Sequence, residues 1–247
     1  MDKHKKGKKN SGSEARLKRF KKILWGGLAA GVILAVLLFF LIEKGLFGEL
    51  PTFEDIENPE SSVATEIISA DGETIGKIWK NENRSPVKYE ELSPYLVDAL
   101  IATEDERFRK HSGIDVRSTM RAVVFLGSRG GASTLTQQLA KQLFTKNASQ
   151  NKIERVIQKF QEWIIAAQLE RSYTKDEIIT MYFNTYDFLY NAYGIKNASL
   201  TYFNKLPSEL TIEEAATLVG MAKNPILYNP IRNPENSLAR RNTVLGQ

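Results

Sequence analysis

The sequence predicts a mainly α-helical domain, with a short β-hairpin before it and one membrane-spanning helix before that. Three observations carry this. The run Ile23–Ile42 is apolar, uncharged and 20 residues long, which matches the ~20 residues a helix needs to cross a hydrocarbon core of ~30 Å. Asp71-Gly72 stands between two β-rich runs, Val63–Ala70 and Glu73–Trp79, a hairpin signal. From Ser93 onward, helix-start signals recur.

The membrane segment comes first in the chain. A cleaved signal peptide has a shorter apolar region of ~7–15 residues and a small-residue cleavage site. Leu46, Phe47 and Glu49 make a poor one, so a retained anchor is expected. Ten Lys/Arg precede the run (Lys3, Lys5, Lys6, Lys8, Lys9, Arg16, Lys18, Arg19, Lys21 and Lys22), whereas Glu43, Lys44, Glu49, Glu54, Asp55 and Glu57 follow it. The positive side stays in the cytoplasm, so the remainder is expected outside the inner (cytoplasmic) membrane, periplasmic or extracellular. The organisation expected is a basic tail at 1–22, a spanning helix at 23–42, a polar linker at 43–62 and a folded domain at 63–247.

The net charge of +5 divides unevenly. The first 22 residues hold ten basic and two acidic side chains, +8, which leaves 24 basic against 27 acidic in the rest, −3. The basic excess therefore belongs to the tail, where it favours anionic lipid heads. A folded part without basic excess gives no ground for a nucleic-acid partner. Cysteine is absent and histidine occurs only as His4 and His111. Disulfides, thiolate chemistry and multi-histidine metal sites are excluded.

In the helical part, Ser93-Pro94 is an N-cap followed by proline at the first helical position. Thr134 with Gln137, Thr174 with Glu177, and Thr211 with Glu214 each fit a capping box. Asn224-Pro225 stops the last long helix. Over Ser93–Arg109, Leu96, Leu100, Glu104 and Phe108 recur at steps of four and share one face. Glu104 thus interrupts an apolar stripe, and a carboxylate partly withdrawn from water suits proton transfer. The bland alternative is a surface glutamate at a helix edge. Gly113, after His111 and Ser112, is read as the helix's C-terminal cap.

Gly130-Gly131 leads into a polar helix start at Ser133 and Thr134. Such an end offers N–H groups and positive dipole character to a phosphate. Thr134 and Gln138 share a face and Lys141 lies a turn further on. In Lys152–Arg171 the apolar face is read as Ile153, Ile157, Phe160, Ile164 and Ala167. Arg155, Lys159 and Glu162 fall on another face, where a solvated ion-pair ladder is the plainer reading. The aromatic group from Tyr182 to Phe203 is read mostly as core.

Taken together, five ordered segments resemble the peptidoglycan glycosyltransferase domain (glycosyltransferase family 51) of class A penicillin-binding proteins. They are ATEDERFRKHSG from Ala102, GGASTLTQQLAKQLF from Gly130, QKFQEWIIAAQLE from Gln158, KDEIITMYFNTYDFLYNAYGIKNASLTYFNK from Lys175, and the stretch Glu213–Gln247. Asn184–Leu189 (NTYDFL) resembles Gram-negative, Bacteroidetes-like members. The resemblance implies a lysozyme-like helical fold with a small jaw, and polymerisation of lipid II into glycan strands. It places the general base on Glu104 and a second catalytic carboxylate on Glu162, with Glu177 as a competing position. It implies substrate contacts from Asp105, Phe108, His111, Ser133, Thr134, Gln137, Gln138, Lys141, Arg155 and Lys159. Gln158 stands where the family's motif has arginine, and Arg155 is the expected substitute. A divalent cation, Mg²⁺ or Mn²⁺, would sit with the substrate's pyrophosphate oxygens and not in a protein cage. The implied partners are lipid II, the growing lipid-linked glycan, the membrane and other cell-wall synthesis proteins. Members with a transpeptidase domain continue past the point where this sequence stops, so a piece of a bifunctional protein is expected. Two other functions fit parts of the pattern: a lytic glycosidase of lysozyme-like fold, and a non-catalytic membrane-anchored glycan-binding scaffold.

Overall fold

A computed structural model of the chain describes residues 7–57, 65–71, 74–78, 84–125, 131–145 and 149–247. The chain separates into two compact units, Met1–Leu50 and Pro51–Gln247. The first unit is built on α1 (Gly7–Glu43), whose segment Glu14–Glu43 is long and apolar enough to cross a membrane. The helix begins well before the apolar run and takes in residues 7–22 of the basic tail.

The second unit opens with α2 (Phe53–Glu57), inside the segment read from sequence as linker. Thr52 and Asp55 cap it reciprocally: the Thr52 N–H and hydroxyl donate to the Asp55 carboxylate at 2.8 and 2.7 Å. Ile56 is buried, and its carbonyl accepts from the Tyr173 hydroxyl at 2.7 Å. The hairpin follows as antiparallel strands β1 (Thr65–Ile68) and β2 (Thr74–Ile78), with a register shift at Ile67/Ile68. Val63, Gly72 and Trp79 of the hairpin signal, and residues 58–62 of the linker, lie outside the described residues.

The rest is helical: α3 (Pro94–Glu104), α4 (Val116–Val124), α5 (Leu135–Ala140), α6 (Lys152–Ser172), α7 (Lys175–Thr185), α8 (Gly194–Phe203), α9 (Ile212–Met221) and α10 (Pro234–Leu245). A π-helical turn, Lys141–Thr145, continues α5. Helix α5 packs between α6 and α7, and α9 packs between α3 and α10. Leu96, Leu100, Leu135, Leu139, Leu169, Ile178, Phe108, Tyr182, Phe183 and Phe188 form the fully buried centre. Each such side chain contributes about 1.5–3 kcal/mol by burial. The caps at Ser93, Thr174 and Thr211 are as expected.

Several expectations change. Helix α10 follows Asn224-Pro225, so that pair does not stop the last long helix, and the Gln137 side chain goes to the Gly113 carbonyl instead of closing a capping box on Thr134. Helix α3 ends at Glu104, not Arg109, because Asp105 leaves helical geometry (φ −159°, ψ 73°). Glu104 is therefore a helix-end residue, and Phe108 reaches the core from a separate 3-10 turn, Phe108–Lys110. Gly113 does not cap that helix. Its φ of +83° and the 2.8 Å between a would-be Cβ and the Ala166 carbonyl oxygen show a backbone laid directly on α6, where a side chain would not fit. The buried residues of α6 are Glu162, Ile165, Ala166 and Leu169, whereas Ile153 is 72% exposed. The face with the charges is the inward one.

Candidate active site

Helix α3 delivers Glu104 to a cleft at its own C-terminal end. The Glu104 Oε2 accepts from Gln138 Nε2 on α5 at 3.2 Å, and its Oε1 lies 3.3 Å from Arg240 Nη2 on α10. The side chains of Arg240 and Glu104 are 11% and 16% exposed. Two cavities share Glu104, Ser133, Gln138 and Lys223 as lining.

The cavity toward α6, of about 420 Å³, is lined by Lys141, Arg155, Lys159 and Lys223 against only Glu104 and Glu162. Glu162 is 1% exposed and carries a cation on each oxygen: Arg155 Nη1 on Oε1 and Lys159 Nζ on Oε2, both at 2.8 Å. Lys159 also donates to Ser133 Oγ at 2.9 Å, which ties α6 to the segment before α5. Lys141 makes no ion pair among the described residues. Arg155 lies one turn before Gln158 and its guanidinium reaches Glu162, while Gln158 Oε1 accepts from the Ser149 N–H at 3.0 Å.

The other cavity, of about 540 Å³, is lined by Arg107, Arg121, Lys223 and Arg240 against Glu104, Asp105, Glu106 and Asp115. Among the described residues its charges balance. Buried Asp115 pairs with Arg107 at 3.2 Å and accepts from the Ser118 hydroxyl at 2.6 Å.

The remaining sequence candidates divide. Asp105 borders the larger cavity, but its Oδ2 accepts from the Leu135 N–H at 3.0 Å and its carboxylate meets His111 Nε2 at 3.0–3.1 Å. The first N–H of α5 is thus already taken, which removes it from any phosphate. Thr134 caps α5 and donates to the Gly113 carbonyl at 2.7 Å; Gln137 Nε2 donates to the same oxygen at 3.1 Å. These two side chains hold the loop to the helix. Phe108 is fully buried, its ring in a T-shaped pair with His111, centroids 6.1 Å apart. Gly130 lies outside the described residues. Glu177 lies away from both cavities. It is exposed and completes the Thr174 capping box, where the Thr174 N–H and then its hydroxyl hold the carboxyl below its ordinary range. Structurally it is a cap.

Sequence reasoning missed Arg240, Lys223 and Tyr182. Arg240 and Lys223 sit in the C-terminal segment of the resemblance, but no local pattern distinguishes them from surface cations. Tyr182 was placed in the core, where it is, yet its hydroxyl donates to Gln138 Oε1 at 3.3 Å. Among the described residues no three His, Asp or Glu side chains converge as metal ligands. Glu162 is fully engaged by cations. These side chains do not fit a protein-held metal ion.

Comparison with known proteins agrees on the family. The transglycosylase family model matches residues 71–247. The chain is 38% identical to penicillin-binding protein 1A of Neisseria flavescens, over 81% of this chain and 25% of that protein. It is 40% identical to penicillin-binding protein 1F of Bacillus subtilis, over 74% and 25%, and 35% identical to penicillin-binding protein 1A of Escherichia coli, over 87% and 26%. The crystal structure of penicillin-binding protein 1A from Haemophilus influenzae aligns over 76% of this chain and 18% of that one, with 26% identity and a TM-score of 0.39. The chain spans about a quarter of the length of the relatives it matches. With the family model covering more than two thirds of its length, the chain belongs to the transglycosylase family, as a glycosyltransferase domain of the class A penicillin-binding type.

Proposed function

We propose that this transglycosylase polymerises lipid II by inverting glycosyl transfer, with Glu104 as the general base. The observation that carries the reading is the position of Glu104 on the wall common to a cation-rich cavity and a charge-balanced one. The cation-rich cavity suits the pyrophosphate of the donor, the growing lipid-linked chain. The balanced one suits the acceptor, whose reacting end is an uncharged sugar. Glu104 takes the proton of the acceptor's GlcNAc 4-hydroxyl. That oxygen forms the new bond to MurNAc C1 from the face opposite the leaving group. The bond from C1 to the pyrophosphate oxygen breaks, and the pyrophosphate departs with the electron pair.

Negative charge grows on that leaving oxygen, and cations already fixed in place stabilise it without reorganising. Lys141 is unpaired among the described residues and is the cation most available to the phosphate. Arg155 and Lys159 are held by Glu162. Both Glu162 oxygens are occupied, so its role is to arrange cations and not to accept a proton. Any divalent cation would arrive on the phosphate oxygens, and no step depends on it here. Helix α1 tethers the domain to the membrane that carries its lipid-linked substrates. The basic tail stays cytoplasmic by the positive-inside rule, with the catalytic domain on the other face.

Incubation of the purified chain with labelled lipid II tests the reading. Polymer from the wild type and none from Glu104→Gln is the expected result. Cleavage of preformed glycan would favour a lytic enzyme, and binding with neither product a scaffold.

A further inference from the structure

Glu104 is the last residue of α3, so its own helix fixes its backbone but leaves its carboxylate free to rotate. Something else must aim it. We propose that Arg240 and Tyr182 are positioning residues for the Glu104 carboxylate, one acting on each oxygen from the helices on either side of the cleft. The inference rests on Glu104 being the general base.

The Arg240 side of the clamp is built by packing. Its side chain crosses Gly220 of α9, where an added Cβ would meet Arg240 Cγ at 3.1 Å. Its guanidinium lies 5.9 Å from the Tyr228 ring centroid, and its Nε is buried with no hydrogen-bond partner among the described residues. What this packing achieves is delivery of Nη2 to Glu104 Oε1 at 3.3 Å.

The Tyr182 side works through an amide. Gln138 could present either its oxygen or its NH₂ group to Glu104. The Tyr182 phenol is fully buried, and burial first, then the nearby Glu104 charge, push its ionisation well up. It therefore remains a donor, and it donates to Gln138 Oε1 at 3.3 Å. With that oxygen engaged, the NH₂ group of Gln138 faces Glu104 Oε2 at 3.2 Å.

Both contacts on Glu104 are long for hydrogen bonds between such groups, and they contrast with the 2.8 Å pairs on Glu162. A carboxylate has about four lone-pair sites. Two long contacts orient it and leave sites free for the incoming proton.

The test measures kcat and KM for lipid II polymerisation with the full chain in detergent, and the melting temperature of each variant. Arg240→Ala is expected to lower kcat about 30- to 100-fold, the scale of a misaimed catalytic group, with KM changed less than about threefold. Arg240→Lys recovers part of that loss. Added methylguanidinium raises the kcat of Arg240→Ala and leaves that of Tyr182→Phe unchanged. Tyr182→Phe loses roughly three- to tenfold in kcat, since only one oxygen is released. Wild-type kcat in Arg240→Ala, or a loss carried by KM alone, overturns the clamp. Should Arg240→Ala unfold, Arg240→Lys decides. A severalfold lower kcat at unchanged melting temperature supports the clamp, and wild-type kcat overturns it. Glu104→Gln runs alongside. If it still polymerises, the base assignment has failed. If it is inactive while Arg240→Ala is unimpaired, only the clamp has failed.

Discussion

The two cavities that meet at Glu104 are built from the same charged residue types, with a cation excess in one and a balance in the other. Among the described residues, four cations face two carboxylates toward α6, and four face four on the other side. The carboxylates differ as well. Glu162 is sealed in the protein with a cation on each oxygen, whereas Glu104 keeps long contacts and some exposure. Breaking a buried ion pair by removing one partner is strongly destabilising, which binds Glu162 to a fixed charge arrangement. Residue type therefore does not assign the role of a glutamate here. On the proposed reading, a proton acceptor differs from an organiser of cations in how many of its lone pairs the fold has already used.

Variants can break this contrast, and Lys141→Ala is expected to have the largest effect among the cavity cations. Lys141 lines the cation-rich side with no ion pair among the described residues. Its loss should cost about 10²-fold in kcat, the scale of removing one preorganised charge donor, at unchanged melting temperature. Glu162→Gln comes next, with roughly a tenfold loss, because Arg155 and Lys159 lose their fixed positions but not their charge. Their side chains are about one-third exposed, so water can receive them and the fold should survive. On the balanced side, Arg121→Ala should raise KM by only about two- to threefold, since an exposed charge is screened there. An equal loss of kcat from Arg121→Ala and Lys141→Ala would erase the distinction between the cavities.

The smallest effects belong to Glu177 and its cap. Thr174→Ala should cost about 1 kcal/mol, some 2–4 °C in melting temperature, with polymerisation intact. The folded-state pKa of Glu177 is depressed by the Thr174 N–H and hydroxyl. Its stabilisation is therefore present above the ordinary carboxylate range and is lost as pH falls through the folded value. Melting curves of the wild type and Glu177→Ala should differ at neutral pH and converge as pH falls through the depressed folded-state value of Glu177. A lost turnover in Glu177→Ala would return that residue to the list of catalytic groups.

The caps were legible in the sequence because each closes within three residues, as Thr174 with Glu177 and Thr211 with Glu214 do. The long apolar N-terminal helix was legible from the length and composition of its run. The end of α3 was not. It depends on Asp105 bonding Leu135, thirty residues on. The inward face of α6 was misread because apolar periodicity cannot register a carboxylate buried with its own cations. Arg240 escaped notice for a similar reason, since it meets Glu104 across 136 positions of chain. Short-range chemistry is written in spacing; the cleft is assembled from contacts that spacing does not show.

The central claim is that Glu104 accepts the acceptor's proton and contributes little to holding substrate. The direct test measures lipid II binding and polymerisation on the same preparation of Glu104→Gln. The account predicts a dissociation constant within about threefold of the wild type and polymerisation reduced by about 10³-fold, within the range of general base catalysis. Polymer formed at the wild-type rate, or a loss explained wholly by weakened binding, would contradict it.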